Sequence, residues 1–210
     1  MGSAAAKVTM LNRNVNWFGF AAGIVTLIVL GISLFIPWWQ LTVGDNLMKV
    51  NASPVNTNFG LFGAQFTLPL ISALNLVSIL TFTASGIVML FYSLMPTKPY
   101  SKQLLGFSYK KPLFSLITFV SGLLIITSIA SLFDINVPIF GSTTLNLPSN
   151  LIMGANINAS VSGSFQLPFW LAMVAAALCI AARLYHGHVV AQKPNPANVN
   201  TASPKTTQNL

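Results

Sequence analysis

An all-α membrane fold is what this sequence predicts: a four-transmembrane-helix bundle with a small extracellular β-sheet formed by its two outer loops. Three observations predict it. Only 6% of the 210 residues are charged and 54% are hydrophobic, whereas a soluble domain carries about 25% charged residues. Four apolar runs each have the length that a hydrocarbon core requires, about 20 helical residues. The basic residues are distributed unequally between the connections, which orients the bundle.

Residues 1–16 are a short polar arm containing Lys7 and Arg13, followed by a membrane domain over 17–188. The first span covers 18–37. It is too long for the apolar region of a signal peptide, and the bulky Ile36-Pro37-Trp38-Trp39-Gln40 that ends it is no cleavage site. Trp38 and Trp39 fall at the outer boundary, where amphipathic indoles are favourable, and Pro37 stops the preceding residue continuing as helix. The outer loop 38–67 contains two alternating runs, Gln40–Val43 and Leu47–Val50, on either side of Gly44-Asp45-Asn46. That pattern predicts a hairpin.

The second span, 68–94, leads into an inner loop at 95–112 carrying Lys98, Lys102, Lys110 and Lys111. The third span is 113–133, and the outer loop 134–166 again alternates apolar and polar residues. The fourth span is 167–187, with an uncharged stretch from Leu167 to Ala182. The tail, 189–210, is rich in Asn, Pro, Thr and Ser, a composition that cannot bury a core and predicts disorder.

Nine of the ten basic residues lie in the arm, the inner loop or the segment that follows Ala182. Lys49 and both acids, Asp45 and Asp134, lie in the other set. By the positive-inside rule both termini are cytoplasmic and the chain is a multi-pass plasma-membrane protein. The N-x-S sequons at Asn51 and Asn158 both fall in the outer loops, as glycosylation there requires. Short similarities between the halves, such as Phe66–Leu70 against Phe165–Phe169, suggest a duplicated two-helix unit.

The composition excludes much chemistry. On this reading no span contains Asp, Glu, Lys, Arg or His before its ends. Such groups are costly in a bilayer and are kept chiefly for function. The one histidine cluster, His186 and His188, falls short of the three or four ligands of a zinc site. Cys179 is a lone thiol within the fourth span, and Asp45 and Asp134 are surface turn residues. No phosphate-binding or dinucleotide motif is present, and the scattered charges do not suit nucleic acid. The chain is expected to bind no cofactor or metal and to catalyse nothing. Gly19 and Gly23 offer a small-residue face on which helices approach closely. The expected partners are the lipid bilayer and other proteins, or further copies of the chain, in the membrane.

The Pro37-Trp38-Trp39 exit, the β-forming first loop and Gly60-Leu61-Phe62 later in it resemble the claudin and peripheral-myelin-protein-like group of four-span proteins. Trp39 matches that group's Trp after the first span. Gly60, Leu61 and Phe62 match its Gly-Leu-Trp, with Phe for Trp, and the group's two loop cysteines have no counterpart here. The resemblance implies a role in adhesion, barrier formation or complex organisation, with no catalysis. It also implies that Trp39 turns inward beneath the sheet near Gly60–Phe62, leaving Trp38 toward lipid. The acid-poor, cysteine-free outer loops are similar in style to archaeal membrane proteins. The leading expectation is a non-enzymatic tetraspan serving as a structural or accessory subunit. The alternatives are a claudin-like adhesion protein and a cofactor-free small subunit of a respiratory or monooxygenase complex.

Overall fold

The computed structural model describes residues 15–44, 47–132, 136–147 and 157–191. Four helices run alternately up and down. They are α1 (Trp17–Ser33), α2 (Pro69–Leu94), α3 (Ser101–Leu132) and α4 (Leu167–Ala191). Between α1 and α2 come β1 (Trp39–Val43), β2 (Met48–Ala52), β3 (Asn58–Leu61) and β4 (Ala64–Phe66). Between α3 and α4 come β5 (Gly141–Leu147) and β6 (Ile157–Phe165). All six strands join one antiparallel sheet in the order β4-β3-β2-β1-β6-β5.

This architecture corrects the expected fold class. Among the described residues three helices, α2, α3 and α4, are long and apolar enough to cross a membrane, not four. The sheet is also no minor appendage to an all-α fold, since it joins six strands into one layer. The first span was expected over 18–37, but α1 stops at Ser33 after 17 residues. The chain turns through Leu34–Ile36, whose amides reach back to Leu30 and Ile32. Pro37 then blocks any return to helix, and Trp39 already belongs to β1.

The second difference concerns the inner loop expected at 95–112. α3 begins at Ser101, so Lys102, Lys110 and Lys111 are helical. Pro112 lies inside α3, where a proline leaves the carbonyl four residues earlier without its amide donor. That carbonyl belongs to Ser108, and the hydroxyl of Ser85 on α2 donates to it at 2.7 Å. The defect in one helix is thus filled by its neighbour. At the other end, α4 runs to Ala191, past the expected boundary at 188. The rest of the tail, and the arm up to residue 14, lie outside the described residues.

The hairpin expected around Gly44 is present, with Trp39 opposite Ala52 and Val43 opposite Met48. The sheet is completed across the two connections, because β1 pairs with β6 along its whole length. The duplication suggested by the sequence does not extend to this layer. β1 lies inside the sheet while β5, which follows α3, forms an edge.

The core has three parts. Under the sheet, Trp39, Leu41 and Val161 pack on Leu123 of α3. In the middle of the bundle Val29, Trp38, Val55, Phe82 and Phe169 cluster. Toward the far end Ala22, Met89, Tyr92, Leu105, Cys179 and Ala182 form the third. α1 and α2 cross at two glycines. A Cβ on Gly23 would lie 2.8 Å from Leu90 and 3.1 Å from the Gly86 carbonyl, and one on Gly86 would lie 2.6 Å from Leu27. Lipid gives no hydrophobic push between helices, so this close backbone approach is what van der Waals packing requires.

Candidate functional site

The expected lipid-facing role of Trp38 is overturned. Both tryptophans are buried, Trp38 to 1% exposure and Trp39 to 4%. Trp38 turns into the bundle, donates its Nε1–H to Ser33 Oγ at 2.8 Å, and meets Phe82, Phe119 and Phe169 edge-on. Trp39 donates to the Ile139 carbonyl at 2.7 Å. It packs against Leu41, Leu123 and Val161, not against Gly60–Phe62. Gly60 faces Lys49 across the β2–β3 pair, while Leu61 and Phe62 project outward, Phe62 at 78% exposure.

The sequon at Asn51 lies within the sheet. Asn51 is buried in β2, and its Nδ2 donates to Asn58 Oδ1 at 2.8 Å. Asn158 lies in β6, but its side chain is outside the described residues. Gly19 and Gly23 both face α2: a Cβ on Gly19 would lie 2.7 Å from Ser93 Oγ.

At the end of the bundle opposite the sheet, a polar network ties three helices together. Asn16, fully buried, caps α1 by accepting from the Gly19 amide at 3.1 Å. Its Nδ2 donates to Tyr92 Oη at 2.8 Å and to the Ala182 carbonyl at 2.9 Å. Tyr92 Oη in turn contacts His186 Nδ1 at 3.0 Å. Sequence reading had placed Asn16 in a featureless arm. The missed signal was an asparagine directly before an apolar helical run, a standard N-cap. His188 stacks on Tyr185 instead, so the two histidines serve different surroundings. Among the described residues no three His, Cys, Asp or Glu side chains gather into a metal site.

The Asn16 network makes a direct prediction. Asn16→Ala removes a cap, which costs about 0.5–2 kcal/mol, and leaves the Ala182 carbonyl short of a donor in the bundle. A fall of about 2 kcal/mol in stability in detergent is the expected outcome. Asn16→Asp, which keeps the cap but cannot donate, should recover only part of it. Thermal melts of the two variants check both.

The most unusual chemistry lies on α3. Ser85 and Ser108 are bonded and so share a height in the bundle. From that level α2 extends about 24 Å to its start at Pro69, while α3 extends about 36 Å to Leu132, at 1.5 Å per residue. The last eight residues or so of α3 therefore overhang α2 on the sheet side. Ile125, Ile126, Ile129 and Leu132, all in that overhang, are exposed.

The same register brings Lys110 and Lys111 to the middle of the apolar α2. Lys111 Nζ lies 5.9 Å from the ring centre of Phe82, the midpoint of the 26-residue helix. Lys110 and Lys111 precede the expected third span, in the segment expected as the inner loop 95–112, and the structure makes that segment the first part of α3. Lys111 is half-buried in a crevice of about 300 Å³ where α2 and α3 meet Ser53 and Pro54 of the connection between β2 and β3, with Ser78, Ser115 and Thr118 also in its lining. Lys110 is exposed on the outer face, along a shallow groove of about 820 Å³ running past Gly106, Phe107, Phe114 and Ile117. The described residues include no carboxylate. No protein-family model matches this sequence and no curated protein is similar to it, so the function rests on this geometry.

Proposed function

We propose that this chain is a non-enzymatic structural or accessory subunit of a larger assembly in the plasma membrane. The carrying observation is the apolar overhang of α3, where Ile125, Ile126, Ile129 and Leu132 are each at least half exposed among the described residues. An apolar surface of this kind is covered by lipid or by another protein, and its place beyond the start of α2, beside the sheet, favours the second. The sheet end lies outside the cell and the opposite end in the cytoplasm. Supporting this orientation, seven of the ten basic residues (Lys7, Arg13, Lys98, Lys102, Arg183, Lys193 and Lys205) belong to segments at or near the opposite end, and that asymmetry sets orientation in membranes.

A second reading, adhesion through the sheet as in claudin-like proteins, is favoured by the β3–β4 turn. Phe62 holds a φ of 49°, and Gly63 follows at 83°. Left-handed backbone at a bulky residue is an outlier, and this one presents an exposed aromatic ring at a hairpin tip. Strain of this kind clusters at functional positions.

Purification in a mild detergent, with mass measured by light scattering, separates the two. A co-migrating second protein, with a protein mass well above the 22.5 kDa of the chain, is the expected result. Self-assembly alone, lost in Phe62→Ser, would favour the adhesive reading. A lone monomer from native membranes would sink both.

A further inference from the structure

We infer that α3 holds an anionic phospholipid, with its phosphate at Lys110 and Lys111 and one acyl chain in the groove past Phe107. The inference goes beyond the accessory-subunit reading and does not depend on it.

The first ground is level. Phe82, under the Lys111 ammonium, packs with Trp38, Val55 and Phe169. Trp38 follows the exit of α1, Val55 lies between β2 and β3, and Phe169 stands in the first turn of α4. α2 continues past this level beside the sheet, where Asn75 Nδ2 donates to the Thr57 carbonyl at 3.3 Å. Lys111 therefore stands where the four-helix layer gives way to the sheet. Trp170, half-exposed in the same turn as Phe169, is a side chain that favours the headgroup level. A basic pocket between helices at that level suits an anionic headgroup.

The second ground is charge. Two adjacent lysines stand here, and the described residues offer them no carboxylate. The crevice adds the hydroxyl side chains of Ser78, Ser115 and Thr118. A phosphate answers both, because its charged oxygens accept from ammonium and hydroxyl donors together. A neutral headgroup or a bare acyl chain would leave the lysines unanswered.

The third ground is shape. Lys111 and Phe114 border both the crevice and the groove, so the two hollows meet at the lysine pair. From Lys110 the groove runs away from the sheet past Phe107 and Gly106 to Gln103. That is about 10 Å of helix, against about 15 Å for half a hydrocarbon core. An acyl chain of the leaflet on the sheet side runs in the same direction. Gly106 leaves room for it, since a Cβ there would meet nothing within 4 Å.

The test uses the full chain in phosphatidylcholine vesicles with trace spin-labelled lipids, and reads the fraction of label immobilised by the protein. Labelled phosphatidylglycerol should bind about tenfold more tightly than labelled phosphatidylcholine. K110M/K111M should abolish that preference, and K110R/K111R should keep it. K98M/K102M, at the far end of the bundle, should also keep it. Gly106→Leu fills the groove but spares both lysines, and should weaken phosphatidylglycerol binding severalfold. Each variant should melt like the parent. A preference that survives K110M/K111M, or falls equally in K98M/K102M, overturns the inference. So does unchanged binding in Gly106→Leu. Displacement of the labelled lipid by millimolar glycerol phosphate overturns it too, because the ligand would then be a soluble phosphate. The accessory reading stands or falls separately, on the mass of the complex purified from native membranes.

Discussion

Trp38→Ala should lower stability by about 3–5 kcal/mol, the cost of truncating a large aromatic in a packed site. The indole fills the centre of the bundle, touches three phenylalanines and satisfies Ser33. For a domain of this size each kcal/mol corresponds to roughly 2–4 °C, so the midpoint in detergent should fall by roughly 6–20 °C. Trp38→Phe keeps most of the apolar contact and loses the bond to Ser33, for about 0.5–1.5 kcal/mol. Trp39→Ala should also be costly, since it is buried beneath the sheet. A Trp38→Ala effect within the ±0.5 kcal/mol of a surface change would mean that the indole faces lipid after all.

The second large effect is expected at Gly163. In the middle of β6, a Cβ there would collide with the backbone carbonyl of Pro138, which crosses directly over it. Backbone cannot swing aside as a side chain can. Overpacking of this kind costs about 1–3 kcal/mol. Displacing Pro138 would also shift Ile139, whose carbonyl holds Trp39 Nε1. Gly163→Ala should therefore destabilise the sheet strongly, and its effect should be non-additive with Trp39→Phe, as for residues sharing one contact. Measured melts of the two single variants and the double variant decide this. Simple additivity would show that the segment over β6 and the Trp39 anchor are independent.

Much of the membrane layer was legible because composition and hydrophobic length are direct physical requirements of a bilayer. The hairpin around Gly44 was legible for a local reason, two alternating runs about a turn. The boundaries were not. Lys110 and Lys111 read as a loop because charges are costly in a span, yet lysine is a good helix former, and the Ser85 hydroxyl repairs the break at Pro112. That repair comes from another helix and leaves no trace in the local sequence. The positions of Trp38 and Trp39 failed for the same reason. Alternation correctly separated the two rings, but which environment each entered depended on Ser33, Phe119 and Ile139, brought together only by the fold.

The β1–β6 pairing also sets an order of events during synthesis. The paired residues Val43 and Val161 are about 120 residues apart, and ribosomes add about 5–20 residues per second. For roughly 6–24 s, β1 must wait with one bare strand edge, and Trp39 and Leu41 uncovered, until β6 has been made. Unpaired edges of this kind invite pairing with other chains. The last strand is therefore what completes the assembly. A chain cut short before β6 would carry an open sheet edge at β1, the feature by which other chains or the cell's quality-control machinery would recognise it as unfinished.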